Sequence, residues 1–244
     1  LERNRLHQPP KQRMGLTGDP HLTRQHRTQM LQSVDFSVGV GKTHLTRALA
    51  ARLGPDCQLL TELTDTQGEH VPAQVIGALS TAGDAFLRTG HPRTETFALL
   101  ALKVREHELV TQMLTPPAIV LEDRGIDTVA IYQAAIMLGD QATQEQTWTL
   151  AQQIYQTAAQ WRPAPDMTLL ITDDLEDCAR RWAQREATPL TGEQQHLVRR
   201  VAGLYHRQAA HEPERFRIVV RTGRDEDDII TEMAHLVMAA GGAH

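Results

Sequence analysis

Short extended stretches alternate along the chain with longer segments in which apolar residues recur every three or four positions. Met30 to Phe36 predicts the first strand. In Lys42 to Leu53, Leu45, Leu49 and Leu53 stand four apart, which predicts a helix with one buried stripe, and Gly54-Pro55 stops it. Gln58 to Thr61 predicts a second strand, and 70–90 a partly helical stretch whose boundaries Gly77 and Gly83 leave open. A long helix is expected from Thr94 to Leu114, ended by Pro116-Pro117. The wholly apolar Ala118-Ile119-Val120-Leu121 reads as a strand buried on both faces. Helices over 126–138 and 143–160 follow, then a strand from Asp166 to Thr172 and a helix from Leu175 to Arg185. A break at Pro189 to Gly192 leads into a helix ending near Ala210. A strand at Phe216 to Val220 and a helix from Asp225 to Ala239 complete the pattern. Strands that alternate with helices need crossover connections, so the expectation is an α/β fold with a three-layer arrangement: one parallel sheet flanked by helices.

Composition changes this picture little. A length of 244 residues suits one sizeable domain, expected over 29–244, and the polar, Pro9-Pro10-containing stretch 1–28 reads as a flexible extension. With 25 Lys plus Arg against 30 Asp plus Glu, the net charge of -5 argues against a nucleic-acid partner. Cys57 and Cys178 are far apart and read as reduced thiols. No apolar run approaches the ~18 residues of a membrane span, so a soluble, cytoplasmic protein is expected. His196, His206 and His211 have no ligand spacing and read as surface residues.

Chemistry enters at Asp35-Phe-Ser-Val-Gly-Val-Gly-Lys-Thr43, where a strand feeds a glycine turn that feeds a helix. Glycines let backbone N–H groups curl around phosphate oxygens, and the helix N-terminus adds positive potential. Gly39, Val40, Gly41, Lys42, Thr43 and His44 are therefore the expected nucleotide contacts, with Lys42 on the outer phosphates and the Thr43 hydroxyl on Mg²⁺. The motif is imperfect: its leading glycine is replaced by Phe36. Val120-Leu-Glu-Asp-Arg124 ends a buried strand in two carboxylates and an arginine. Asp123 is placed to hold the metal, and Arg124 to bridge donor and acceptor with its planar fork. Arg181 and Arg185, on a helix that runs into the polar stretch 185–193, suit a lid that closes over a triphosphate.

In the order of these segments the chain resembles the thymidylate kinase family of P-loop kinases, over residues 30–238. Thr96-Phe-Ala-Leu-Leu-Ala-Leu-Lys-Val-Arg105 looks like the family's helix with a base-contacting arginine, here Arg105. Asp123-Arg-Gly-Ile-Asp-Thr-Val-Ala-Ile-Tyr-Gln133 is similar to its Asp-Arg-Tyr segment, where Thr128 and Tyr132 are expected to line the nucleotide site. The resemblance implies Mg-ATP as phosphoryl donor, a nucleoside monophosphate or close analogue as acceptor, and a possible homodimer. The departures fall on the acceptor side. Val38 stands for an acid, Glu62 for an arginine, Ala101 for a stacking aromatic, Gly125 for a tyrosine and Val129 for an amide. Glu62 leaves a second reading open, a kinase acting on a nucleoside or metabolite hydroxyl with Glu62 as general base. A nucleotide-binding protein without catalysis is a third.

Overall fold

A computed structural model describes residues 30–36, 39–65, 68, 70–113 and 117–241. The extension expected over 1–28, and Val38, lie outside them. Five strands form one sheet: β1 (Met30–Phe36), β2 (Cys57–Leu60), β3 (Ile119–Asp123), β4 (Met167–Thr172) and β5 (Phe216–Val220), in the order β2-β3-β1-β4-β5 and parallel throughout. The helices are α1 (Lys42–Leu53), α2 (Val71–Leu79), α3 (Pro92–Thr111), α4 (Ile126–Leu138), α5 (Gln144–Ala159), α6 (Leu175–Glu186), α7 (Gly192–His211) and α8 (Glu226–Gly241).

Strand alternation divides the core into two layers. Leu169 and Ile171 of β4 face Leu45 and Leu49 of α1 and Ile229, Met233 and Val237 of α8. Leu170, between them, faces the opposite layer, where α4, α5 and α7 bury Ile126, Ala130, Ile154, Val201 and Leu204. Successive side chains on a strand point to opposite faces, so each strand serves both layers. Helix ends follow local chemistry. Thr143 and Thr191 cap α5 and α7 through reciprocal bonds with Gln146 and Gln194, and the Asp174 carboxylate accepts from Glu176 and Asp177 N–H at the start of α6.

The expected elements are present with small shifts at their ends. The stretch 70–90 is helical in part, as expected: α2 is followed by a turn of 3-10 helix at Ser80–Ala82, and Gly83, in the left-handed region at φ 68°, ends it, while Gly77 lies inside α2. Among the described residues, no helix is long and apolar enough to cross a membrane.

Candidate active site

The carboxyl ends of β1 and β3 lie side by side, Val34 opposite Asp123. Everything that follows these two strands is therefore delivered to one edge of the sheet, the usual ligand crevice of open α/β folds. After β1, Gly39 and Gly41 adopt left-handed backbone at φ 85° and 83° and turn the chain into α1. After β3, Arg124 does the same at φ 66°, which an L side chain adopts at a cost of about 1–3 kcal/mol. That turn aims the guanidinium at Glu62, which follows β2: Nε of Arg124 lies 2.9 Å from the Glu62 carboxylate. Glu62 also forms a short ion pair with Lys42, whose Nζ lies 2.6 Å from Asp123 Oδ1.

Four charged groups thus meet at the head of the phosphate loop. Burial alone would raise the Glu62 carboxyl, but Arg124 and Lys42 outweigh it and hold its pKa at about 2. Lys42 is pushed the other way: burial and the neighbouring Arg124 lower its pKa against the pull of Glu62 and Asp123. Burial, with Glu62 nearby, raises Asp123.

A cavity of about 850 Å³ opens over this cluster. Gly39 to His44 and Arg47 line one part, Glu62 and Arg124 the middle, and Phe86, Leu99, Lys103, Thr128, Val129, Tyr132 and Gln133 the other. Phe86 stacks at 6.0 Å on Tyr132 and at 6.3 Å on Trp182 of α6, so the aromatic wall joins three separate segments. Arg124 lies 5.7 Å from the centre of the Tyr132 ring, within cation–π range. Gln133 accepts a hydrogen bond from Thr96 Oγ1 at 3.1 Å, which fixes its carboxamide.

The expected residues do not all converge. Lys42, Thr43, His44, Glu62, Arg124, Thr128 and Tyr132 line the cavity. His44 is exposed there and pairs with Glu226 at 2.5 Å. Asp123 is 2% exposed and reaches Lys42 from beneath. Arg185 sits at the rim, 4.9 Å above the Trp182 ring and paired with Glu186. Arg181 lies behind the phosphate loop rather than in the cavity, bound to the Gly39 carbonyl at 2.9 Å.

Arg105 lies apart from these residues. It stands outside the cavity lining, and the cation that α3 presents there is Lys103. The reason is helical phase. Lys103 is four residues beyond Leu99 and shares its face, whereas Arg105 is turned about 200° from Lys103. Ala101 is likewise exposed on the outer side of α3, so Leu99 occupies the inner wall instead.

Lys103 does not stand alone. It is 1% exposed and bonds Glu106 at 3.0 Å, with Glu122 at 3.3 Å, and Glu122 takes a two-pronged contact from Arg162 at 2.8 and 3.1 Å. Burial opposes the Lys103 charge, but Glu122 and Glu106 prevail and raise its pKa. Of the two carboxylates that end β3, strand alternation sends Asp123 to Lys42 and Glu122 into this internal network. The glycine at 125 sits in a tight place: a Cβ there would stand 2.6 Å from Ser33 Oγ and 3.1 Å from Ser33 Cβ and Glu122 Oε2, so a side chain needs the serine hydroxyl to turn away and both neighbours to give slightly.

Beneath the Arg124 turn lies Asp35, fully buried. Its Oδ1 accepts from Gly125 N–H at 3.3 Å and from Thr128 Oγ1 at 2.5 Å, tying β1 to the start of α4. Burial and the charge of Asp127 raise its pKa to about 6, against the hydrogen bond from Thr128. Because the folded value exceeds the ordinary one, the fold favours the protonated form. The ionised form then costs stability that is absent near pH 4, grows as pH rises to about 6 and persists above it, on the order of 3 kcal/mol for a shift of this size. Asp35→Asn keeps an acceptor for both bonds and cannot ionise. Its Tm is expected to exceed that of the wild type by several degrees at pH 7.5, with the gap closing towards pH 4. A gap that stays constant across that range in thermal melts would show that Asp35 does not titrate there.

Comparison with known proteins gives the family and the fold. A family model for thymidylate kinase matches residues 38–229. The thymidylate kinase of Thermomicrobium roseum is 32% identical over 189 residues, covering 75% of this chain and 83% of its own. That of Clavibacter sepedonicus is 32% identical over 166 residues, 64% of this chain and 74% of its own. Among solved structures, the thymidylate kinase of Candida albicans superposes with a TM-score of 0.62 at 17% identity, covering 86% of this chain and 92% of that one. The Ehrlichia chaffeensis enzyme gives 0.59 at 18%, covering 86% and 98%. The solved structures match the five-stranded parallel sheet and its flanking helices, while the family model and the sequence relatives carry the assignment: this chain belongs to the thymidylate kinase family of ATP-dependent nucleotide kinases.

Proposed function

We propose that the chain transfers the γ-phosphoryl group of ATP to a nucleoside monophosphate bound against the Phe86, Leu99 and Tyr132 wall. The observation that supports this reading most directly is the row Lys42, Glu62, Arg124, Tyr132, which links the phosphate loop to that wall through successive contacts. Phosphoryl transfer needs little covalent help from the protein; it needs two anions held in line and their charge offset. Gly39, Val40 and Gly41 direct backbone N–H groups at the donor, Lys42 meets its outer phosphates, and Arg124 spans donor and acceptor. Arg185, at the rim, is the lid cation that screens the transferred group from water.

A magnesium ion would draw on two oxygen donors here, the Thr43 hydroxyl, which lines the cavity, and the Asp123 carboxylate, which lies beneath it against Lys42, with the remaining ligands from phosphate and water. The ion would neutralise charge on the transferred phosphoryl oxygens. Asp123 also fixes the Lys42 ammonium from below, so the lysine approaches the phosphates from one direction.

Glu62 is the feature that favours a second reading, a hydroxyl acceptor deprotonated by that carboxylate. Its pKa of about 2 makes it a weak base while it holds Lys42 and Arg124. The monophosphate reading needs no base, since an acceptor phosphate is already ionised. ADP release from Mg-ATP across a panel of nucleoside monophosphates, run beside the matching nucleosides, tests the choice. Turnover confined to monophosphates is the expected result. Turnover confined to nucleosides would establish the hydroxyl acceptor, and neither would point to nucleotide binding without catalysis.

A further inference from the structure

Two arginines hold the phosphate loop from outside the cavity. Arg181 of α6 donates from Nε to the Gly39 carbonyl at 2.9 Å. Arg221, the residue after β5, donates from Nη1 to the Val40 carbonyl in a short contact. Asp173, after β4, joins them: its carboxylate accepts from Arg181 Nη2 at 2.5 Å and stands 3.9 Å from Arg221 Nε. Thr222 Oγ1 at 2.8 Å and Asp174 N–H at 2.9 Å complete the carboxylate's contacts. The fit is close. A Cβ on Gly41 would stand 2.4 Å from Arg221 Nη1, and one on Gly39 would stand 2.1 Å from the Cys178 carbonyl of α6.

We infer that Arg181, Arg221 and Asp173 are positioning residues that orient the phosphate loop for its anion. The geometry of the peptide unit gives the reason. A planar trans peptide carries its C=O and its N–H on opposite sides. The Gly39 carbonyl shares a plane with Val40 N–H, and the Val40 carbonyl with Gly41 N–H. Two carbonyls drawn outward by arginines therefore turn two consecutive N–H groups inward, where they converge as an anion-binding nest. The loop lacks the leading glycine of the full motif, with Phe36 in its place, and the outer clamp supplies conformational definition that the sequence of the loop does not. The planar fork of an arginine suits the task because it reaches a carbonyl and a carboxylate at once, which an ammonium cannot do with the same geometry.

The inference rests on the loop being the phosphate site, and its test needs no acceptor, so it stands apart from the acceptor reading. The affinity of a fluorescent Mg-ATP analogue is measured for the wild type, Arg221→Met, Arg181→Met and Arg221→Lys. Inorganic tripolyphosphate, which has neither base nor sugar, is used as the competitor. Each Met variant is expected to weaken both the analogue and tripolyphosphate about three- to tenfold, by similar factors, with Arg221→Lys recovering part of the loss. Weakening of the analogue alone would overturn the inference, because the arginines would then be acting on base or sugar. Unchanged affinities in both Met variants would overturn it as well. Should Arg221→Met fail to fold, Arg181→Met and Arg221→Lys give the same discrimination, with circular dichroism as the check on folding.

Discussion

Lys42→Ala is expected to lower turnover by roughly 10²- to 10³-fold or more, the scale at which a single preorganised charge-stabilising donor acts. The structure explains why so much depends on one ammonium. Lys42 is 5% exposed and bracketed by Glu62 and Asp123, so it is fixed in place before any ligand arrives. Burial and Arg124 also lower its pKa, which marks a charge short of hydration and available to a phosphate. The fold should survive the change. Glu62 keeps its ion pair with Arg124, and Asp123, whose pKa burial already raises, can take up a proton. ADP release at pH 7.5, with far-UV circular dichroism and a thermal melt on the same sample, checks both parts. Turnover within tenfold of wild type in a folded variant would remove the phosphate-loop role from Lys42.

Glu62→Gln separates the two acceptors. The carboxylate now occupies the space between Lys42 and Arg124, the two cations that a transferred phosphoryl group would meet. An acceptor phosphate must compete with it. At about 4 Å and an effective dielectric near 20, one like-charge pair costs on the order of 4 kcal/mol before screening, and the two cations offset part of that. The glutamine variant keeps the shape and removes the charge. Acceptor KM is therefore expected to fall about tenfold, with turnover within a few-fold of wild type. Stability should drop, because Lys42 and Arg124 lose a partner that is largely buried. A hydroxyl acceptor gives the opposite pattern: turnover down a hundredfold or more, ATP affinity kept and acceptor KM little changed. That outcome would assign Glu62 as the base.

The strands and helices were legible because their signals are local. Leu45 and Leu49 mark the stripe of α1, Ala118 to Leu121 an interior strand, and Gly39 to Lys42 the turn between β1 and α1. The cluster at the sheet edge was legible in part, since Lys42, Glu62 and Arg124 each follow a strand of a parallel sheet and Asp123 ends one. What escaped was phase and distance. Arg105 and Lys103 differ by two positions on one helix, and only the direction of the α3 face decides between them. The face could have been read from Leu99, which stands one turn before Lys103. Phe86 and Trp182 meet across 96 residues with no sequence mark to join them. Arg221 lay in a segment read only as the end of a strand, and its contact with Val40 depends on the sheet order, which sequence pattern does not give.

That order has a consequence for how the molecule is made. β1, the first described strand to leave the ribosome, lies at the centre of the sheet, between β3 and β4. Neither neighbour exists when it emerges: its partners are Ile119 to Asp123 and Met167 to Ile171. Synthesis at ~5–20 residues per second leaves β1 without both neighbours for several seconds, with Leu31 and Val34 exposed to solvent or to other chains. Native pairing over such sequence separations is intrinsically slow, since loop-closure entropy must be met before the contacts that offset it can form. The nascent chain is thus at its greatest risk of aggregation before β4 is complete, and the phosphate loop, which hangs from β1, takes shape only after that point.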